Sequence, residues 1–131
     1  MTSRVATCSC GQLTVTCTGE PVRISVCHCL DCQKRSGSSF AAQARWPNER
    51  VEIAGEFREW SRTGDSGEVA TFRFCPTCGS KVAYCHEGMP GITAVAVGGF
   101  ADPAFPPPIY SVYEGRKHAW VAILGDVERY D

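Results

Sequence analysis

The stretch "CHCLDCQKRSG", residues 27 to 37, places three cysteines within six positions, Cys27, Cys29 and Cys32. Three thiolates at this spacing can bind one zinc ion at about 2.3 Å each, and zinc prefers four ligands in a tetrahedron. The fourth position is then left to water, to a substrate or to another side chain, for which Cys85 and His86 in "YCHEG" are candidates. Three protein ligands beside an open position are typical of a catalytic zinc site.

The charge of such a site favours thiol chemistry over hydrolysis. Three thiolates around one Zn²⁺ leave a net charge of about -1, which makes the ion a weaker Lewis acid than one held by three neutral histidines. It is therefore less suited to generating hydroxide. A coordinating thiol is deprotonated outright, so a substrate thiol would bind as its thiolate. Thiol chemistry is therefore the reaction class that we expect at this site.

Two further pairs of cysteines predict a second, closed zinc site. Cys75 and Cys78 lie in "FCPTCGS", a zinc knuckle in which proline shapes the turn and glycine lets the backbone reverse. Cys8 and Cys10 in "TCSCGQ" form a tighter half-site. The four thiolates fill a tetrahedron, which indicates a structural ion. Structural zinc binds with about 10 to 16 kcal/mol, and a domain is stable by only about 5 to 15 kcal/mol. We therefore expect the protein to unfold without this ion.

Several other side chains near these cysteines have two interpretations. Lys34 and Arg35 follow the three-cysteine stretch and could contact substrate carboxylates, although a solvated helical turn is the favoured interpretation. His28 lies between two candidate ligands, so its side chain is expected to point away from the metal. Cys17 falls on an alternating strand, where a small apolar residue packs in the core, and the same holds for Cys85 if it is not a ligand.

The elements that must hold these cysteines are almost all strands. Apolar and polar residues alternate in "QLTVTC" (12 to 17) and "VRISVC" (22 to 27), and the intervening "TGEP" turn predicts a hairpin. The one predicted helical turn is "LDCQKRS", which follows Cys29. Further runs of strand character are "SFAAQARW" (39 to 46), "RVEIAG" (50 to 55), "FREWS" (57 to 61), "VATFRF" (69 to 74), "KVAYC" (81 to 85), "ITAVAV" (92 to 97) and "IYSVY" (109 to 113).

Length and composition exclude several classes of function. The 131 residues predict one domain, 1 to 131, and a net charge of -1 without any basic run argues against a nucleic-acid partner. No apolar run reaches about 18 residues, so a membrane span is not expected. The first residues, "MTSRVATCSCG", lack the apolar core of a signal peptide, so we expect a cytoplasmic protein. Nine cysteines in a reducing compartment favour metal binding over a disulfide framework.

The order of the cysteine motifs carries a resemblance to a known family. The chain has C-x-C-G, then C-H-C-x-x-C-x-[KR]-x-x-G, then F-C-x-x-C-G. Over residues 8 to about 120 it resembles the glutathione-dependent formaldehyde-activating enzymes, a family that also includes centromere-protein-V-like proteins. The resemblance implies a mainly β, β-tent (Mss4-like) fold with short helical turns and two zinc sites. A structural zinc would be held by Cys8, Cys10, Cys75 and Cys78, and a catalytic zinc by Cys27, Cys29 and Cys32.

The activity that the resemblance implies is condensation of glutathione with formaldehyde to S-(hydroxymethyl)glutathione, classed in the reverse direction as a carbon–sulfur lyase. The expected partners are therefore a small thiol such as glutathione and an aldehyde. Two other functions stay open. The protein could be a non-catalytic zinc-binding module for protein interaction, or a redox or zinc sensor that uses a labile three-cysteine site as its switch.

Overall fold

Eleven short strands are the main regular elements of the computed structural model, which describes residues 1–131. Glycine-rich and proline-rich turns separate the strands, because these residues supply the positive or fixed φ that tight reversals need. One helix, α1, spans Leu30–Ser36, and three short 3-10 helices span Asn48–Arg50, Val97–Phe100 and Glu114–Arg116. The strands are β1 (Ser3–Thr7), β2 (Thr14–Thr18), β3 (Arg23–Cys27), β4 (Ala41–Pro47), β5 (Val51–Ala54), β6 (Arg58–Thr63), β7 (Val69–Phe74), β8 (Lys81–His86), β9 (Ile92–Ala96), β10 (Tyr110–Val112) and β11 (Glu128–Arg129).

These strands form two sheets. The smaller has three strands in the order β1-β2-β5, and the larger has eight in the order β11-β10-β3-β4-β9-β8-β7-β6. Most neighbours are antiparallel, but β10 is parallel to both β3 and β11. The mainly β fold class with short helical turns is thus confirmed, and α1 matches the predicted helical turn.

The predicted hairpin between residues 12 and 27 is wrong. β2 pairs with β1 and β5 in the small sheet, whereas β3 pairs with β4 and β10 in the large sheet. The chain crosses between the sheets at a turn that contains Gly19, whose φ is +80°. Cys17 and Ile24 enter the same core from the two sheets. Alternation therefore marked the buried faces correctly but did not identify the partner strand.

The core lies between the two sheets. Trp46 of β4 is fully buried there, and its indole nitrogen donates a hydrogen bond of 2.9 Å to the carbonyl oxygen of Gly19. This bond satisfies the one polar atom of the side chain at the crossing point between the sheets. The buried core residues are Ala6, Cys8, Leu13, Val15, Cys17, Ile24, Ala44, Trp46, Cys75, Val82, Ala83 and Val95.

The opposite face of the large sheet is also covered, although its residues are polar. Ser25 of β3 and Gln43 of β4 are directly paired across the strands and are only 1% and 3% exposed. They line a cavity together with residues of α1 and of the β6–β7 turn. We call this side of the large sheet the cavity face. None of the helices has the length and apolar character that crossing a membrane needs.

Candidate metal centres and the adjoining cavity

The structure brings Cys8, Cys10, Cys75 and Cys78 together, with all four sulfur atoms within 4.8 Å of one another. The Sγ atoms of Cys8 and Cys10 are 3.5 Å apart, and those of Cys10 and Cys75 are 3.7 Å apart. A regular tetrahedron of sulfurs about 2.3 Å from zinc has edges of about 3.8 Å. The spacing of these donors therefore fits a four-coordinate zinc ion with no position left open.

Backbone turns hold this cluster and direct hydrogen-bond donors at its sulfurs. Gly79 has a φ of +81°, a left-handed conformation that lets the chain reverse after the knuckle. Its amide donates to the Cys75 carbonyl oxygen at 2.8 Å. The amide of Leu13 donates to Cys8 Sγ at 3.3 Å, and that of Thr77 donates to Cys75 Sγ at 3.4 Å. Such donors stabilise sulfur in its thiolate form, which is the form that binds a metal.

Two polar side chains that directly follow the cysteine motifs, Gln12 after C-x-C-G and Ser80 after F-C-x-x-C-G, also contact the cluster. The Gln12 side-chain amide donates to Cys75 Sγ at 3.0 Å. The two residues are 63 positions apart and lie in turns that belong to different sheets. A hydrogen bond from the Ser80 hydroxyl lowers the pKa of Cys78 to about 5. Neither contact could be found from spacing alone, because both depend on how the turns approach one another. Together they favour deprotonation of the cluster without adding ligands.

The second cluster forms where β3 meets α1. Cys27 ends β3, Cys29 is the N-cap residue of α1, and Cys32 lies in its first turn. The three sulfur atoms are within 4.8 Å of one another. The amide of Cys32 donates to Cys29 Sγ at 3.3 Å, so this sulfur caps the helix as a serine oxygen would. The end of β3 and the start of α1 thus position the three cysteines of the C-x-C-x-x-C motif.

Hydrogen bonding within the three-cysteine cluster favours thiolate at one position. A bond from the Cys27 side chain, supported by one from Cys32, lowers the pKa of Cys29 to about 2. The same bond to Cys29 raises the pKa of Cys27. The three thiols therefore titrate as one coupled group and not independently.

No fourth protein ligand joins this cluster. Cys85, half-buried on β8, faces Thr93, with 3.9 Å between its sulfur and the hydroxyl oxygen. His86 is also outside the cluster: its Nδ1 accepts a hydrogen bond of 3.0 Å from the Gly88 amide and lies 3.6 Å from a Glu68 carboxylate oxygen. Both candidates for the fourth ligand are thus engaged elsewhere.

The three-cysteine cluster opens onto a cavity of about 400 Å³ over the cavity face. Cys27, Cys29 and Cys32 line it, and so do four arginines, Arg23, Arg35, Arg45 and Arg62. Arg62 of β6 forms an ion pair with Asp31 of α1. His86 and Glu68 also belong to the wall. The cavity is therefore lined both by sulfur atoms that can bind a soft metal ion and by positively charged side chains.

Arg35 is fixed in the cavity wall. Its guanidinium lies 4.9 Å from the ring centres of both Phe72 and Tyr84, and it donates a hydrogen bond of 3.4 Å to Cys32 Sγ. Aromatic packing of this kind holds a planar cation in one orientation. Lys34, by contrast, is exposed and does not line the cavity. Of the two basic residues, only Arg35 therefore faces the candidate site.

His28 supports the cysteine stretch from the side away from the cavity. Its imidazole is fully buried and shares a 2.9 Å hydrogen bond between Nε2 and the Ser111 hydroxyl. Ser111 donates in turn to a Glu114 carboxylate oxygen at 2.6 Å, and Arg129 contacts the same oxygen at 2.9 Å. Burial lowers the pKa of His28, which keeps the ring neutral. The chain His28–Ser111–Glu114–Arg129 therefore anchors the cysteine stretch to β10 and β11.

The donor sets of both clusters fit zinc. All seven candidate ligands are thiols, and soft thiolates in a tetrahedral arrangement select zinc or iron–sulfur centres over harder cations. The first cluster offers four donors at tetrahedral spacing, and the second offers three donors beside a cavity. Cys17, buried in the core, and Cys85 belong to neither cluster.

Comparison with known proteins identifies the family. The sequence model of the glutathione-dependent formaldehyde-activating enzymes matches residues 3–116. A crystal structure of a Rhodobacter sphaeroides protein from a structural genomics consortium has a TM-score of 0.58 to this chain, at 19% sequence identity, and covers 79% of this chain and 91% of that one. At this identity the likeness shows the fold alone. No curated protein matches the sequence significantly. The family match over most of its length shows that the chain belongs to the glutathione-dependent formaldehyde-activating enzyme family.

Proposed function

We propose that this protein is a zinc-dependent enzyme of the carbon–sulfur lyase type, which forms or cleaves the bond between a thiol sulfur and an aldehyde carbon. One observation carries the proposal: the cluster of three cysteines has no fourth protein ligand and opens directly onto a cavity that can hold a substrate. The family's description as glutathione-dependent and formaldehyde-activating supports a small thiol and an aldehyde as the substrates. The reaction would resemble S-(hydroxymethyl)glutathione synthesis.

The two clusters would have separate roles. Cys8, Cys10, Cys75 and Cys78 would hold a structural zinc, while Cys27, Cys29 and Cys32 would hold a catalytic one. The catalytic ion would supply a Lewis-acid position that keeps a thiol ionised. We further infer that residues 1–131 act as one domain in a reducing compartment such as the cytoplasm, where these thiols stay reduced.

The chain's own residues would orient the reactants and limit their exposure to water. Arg35 holds Cys32 through its hydrogen bond and so places positive charge beside the cluster. In the condensation, the thiol loses its proton to water, its sulfur forms a bond to the carbonyl carbon, the π electron pair moves to oxygen, and that oxygen takes up a proton from water. In the lyase direction the hydroxyl loses its proton, the C=O bond re-forms, and the carbon–sulfur bond breaks with its electron pair left on sulfur, which takes up a proton on release. The buried walls of the cavity position both reactants for either direction.

The structure gives less support to a protein-interaction module. That function would be favoured by a filled fourth position on the second ion, for instance by Cys85. Cys85 instead faces Thr93, and the cluster has three members. An open position is of use to a catalyst or to a metal-responsive sensor, and the adjoining cavity favours the catalyst.

The test is the rate of adduct formation on the zinc-loaded protein. Glutathione and formaldehyde react spontaneously, so exchange between free thiol and hemithioacetal should be measured by NMR with and without enzyme. We expect faster exchange with the wild type, loss of the acceleration in Cys29→Ala, and full activity in Cys85→Ala, which removes a thiol outside both clusters. An absence of acceleration with two zinc ions bound, for glutathione and for simpler thiols, would reject the enzyme and favour the interaction module or the sensor.

A further inference from the structure

Two arginines stand directly opposite each other on the cavity face. Arg23 of β3 and Arg45 of β4 are cross-strand partners, and both line the cavity. Like charges in directly opposite positions destabilise a pair of strands. The ion pairs in the structure involve other arginines, Arg4, Arg62, Arg73 and Arg129, so neither Arg23 nor Arg45 has a carboxylate partner. The fold therefore holds two uncompensated positive charges side by side.

Neutral groups hold these arginines in place without neutralising them. Arg45 donates to the Ser25 hydroxyl at 2.8 Å and to the Tyr84 hydroxyl at 3.1 Å. The Arg23 guanidinium lies over the Tyr110 ring, 4.4 Å from its centre. Arg23 makes no side-chain hydrogen bond, and its Nε atom is buried without any partner. A charged donor that lacks an acceptor is costly in a folded protein unless a ligand supplies one.

The other basic groups in the cavity are already engaged. Arg62 pairs with Asp31, and Arg35 lies between two aromatic rings and donates to Cys32. The acidic side chains of the wall lie on α1 and on the β6–β7 turn, and none of them contacts Arg23 or Arg45. The positive charge available to a ligand is thus concentrated at the Arg23–Arg45 end.

The distance from this end to the cysteines indicates how long a ligand must be. Arg23, Ser25 and Cys27 share one face of β3, because alternate residues of a strand point to the same side. Four residues at about 3.3 Å each separate Cys27 from Arg23 by about 13 Å along the strand. The Arg45 guanidinium extends back to the level of Ser25, to which it donates a hydrogen bond, and Ser25 is two residues, or about 7 Å along the strand, from Cys27. A ligand that contacts both the arginines and the three-cysteine cluster must therefore span at least about this distance.

We propose that Arg23 and Arg45 form an anion subsite that binds a carboxylate of the substrate, remote from the sulfur that lies at the three-cysteine cluster. The position of the sulfur rests on the proposed function, whereas the anion subsite rests on the two arginines alone. The inference concerns which residues bind that carboxylate, within the class of thiol substrates already proposed.

The proposal is tested by calorimetric binding of S-methylglutathione to the protein loaded with two zinc ions. This probe keeps both carboxylates but has no free thiol, so its binding does not depend on thiol capture. We expect Arg23→Gln and Arg45→Gln each to weaken binding by about 10-fold or more, as loss of a charge-assisted hydrogen bond does. Arg23→Lys should lose less, because it keeps the charge. Arg58→Gln, an exposed arginine of β6 outside the cavity, is the matched control and should bind as the wild type.

Arg23→Gln is the decisive variant because Arg23 makes no side-chain hydrogen bond whose loss could unfold the protein. The diethyl ester of S-methylglutathione, which lacks both carboxylates, should bind weakly to the wild type and equally weakly to both variants. The subsite is rejected if the wild type does not bind the probe, if the folded variants bind it normally, or if the ester binds as well as the acid. Inorganic phosphate and acetate should also be compared as competitors of the probe. If phosphate displaces the probe at a much lower concentration than acetate does, the arginines form a phosphate site, and the assignment to carboxylate is overturned.

Failure of the subsite and failure of the enzyme proposal give different results. Binding of the probe that depends on both arginines, without any acceleration of adduct exchange, would keep the subsite and reject the enzyme. Accelerated exchange with probe binding unchanged in both arginine variants would keep the enzyme and reject the subsite.

Discussion

The buried imidazole of His28 and the hydroxyl of Ser111 share a hydrogen bond of 2.9 Å across 83 positions of sequence. Because the Glu114 carboxylate can only accept, Ser111 donates to it and must accept from His28 Nε2. The proton of the neutral ring therefore lies on Nε2, and Nδ1 is left buried without a partner. One hydroxyl thus connects the stretch that carries three cysteines to the last strands of the sheet.

Ser111→Ala should destabilise the protein. The change removes the acceptor of a buried N–H and the donor to Glu114, and an unsatisfied buried polar group costs about 1 to 3 kcal/mol. Urea unfolding of the zinc-loaded protein measures the effect. Ser38→Ala, in the exposed turn after α1, is the control and should stay within about 0.5 kcal/mol of the wild type. Equal unfolding midpoints for all three proteins would show that the buried chain contributes nothing to stability.

Loss of the four-cysteine cluster should be far more severe than loss of an unclustered thiol. We expect Cys75→Ser to bind one zinc fewer and to lose its strand-rich circular dichroism spectrum, because structural zinc supplies about 10 to 16 kcal/mol. Cys85→Ser, on β8 outside both clusters, should keep two zinc ions and the wild-type spectrum. Metal content per chain and circular dichroism check both. A stably folded Cys75→Ser protein would argue against a structural role for the ion.

Replacement of Cys29 should separate catalysis from folding. Cys29→Ala and Cys29→Ser both lose one thiolate of the open cluster, so both should lose the second zinc and the activity while staying folded with one ion. The serine variant keeps an oxygen that can cap α1 in place of the sulfur. It should therefore be more stable than the alanine variant by about 1 kcal/mol in urea unfolding. An unfolded Cys29→Ser protein would contradict the division of roles between the clusters.

Arg35→Met should weaken the second zinc site without emptying the first. The change removes the 3.4 Å hydrogen bond to Cys32 Sγ and a positive charge beside the thiolates. Loss of a contact to a metal ligand typically reduces affinity about 10- to 100-fold. Competition with a chromophoric chelator measures each zinc ion separately. Lys34→Met changes the neighbouring exposed residue and should leave both affinities unchanged; a similar loss in both variants would point to general charge rather than to this bond.

Cys17 should resist alkylation in the native protein. Burial raises the pKa of its thiol from 9.0 to about 11, and the nearby Arg4 charge only partly opposes this shift. Two pKa units reduce the reactive thiolate at pH 8 by about 100-fold. Iodoacetamide treatment followed by mass spectrometry should therefore label Cys17 only after unfolding in urea. The labelling rate should rise with pH up to about 11, and rapid labelling of the folded protein at pH 8 would contradict the burial.

Sequence reasoning was effective where local spacing determines structure. The two pairs and the triplet of cysteines could each be recognised from their spacing, because a knuckle or a strand-to-helix turn places nearby sulfurs together. The two pairs could then be joined into one site because zinc prefers four ligands. The strands were recognised from their alternation, and α1 from the short stretch after Cys29. The family could be identified for the same reason, since its motifs are local.

The sequence did not predict features that depend on distant contacts. Alternation in β2 and β3 indicated two strands but not that they belong to different sheets, and the short β1 and β11 were not predicted at all. The structure buries polar residues such as Ser25 and Gln43, which their residue types alone do not indicate. Arg23 and Arg45 stand opposite each other only because β3 and β4 pair in one particular register. That register is a tertiary property.

The arrangement of the large sheet also sets the sequence of events during synthesis. The stretch that carries Cys27, Cys29 and Cys32 is complete soon after β3 leaves the ribosome, whereas the other cluster joins sulfurs 65 positions apart, such as those of Cys10 and Cys75. One edge of β3 pairs with β4, but the other must wait for β10. A growing chain therefore presents a metal-capturing loop early and an unpaired strand edge for most of its synthesis, the kind of edge on which nascent chains aggregate.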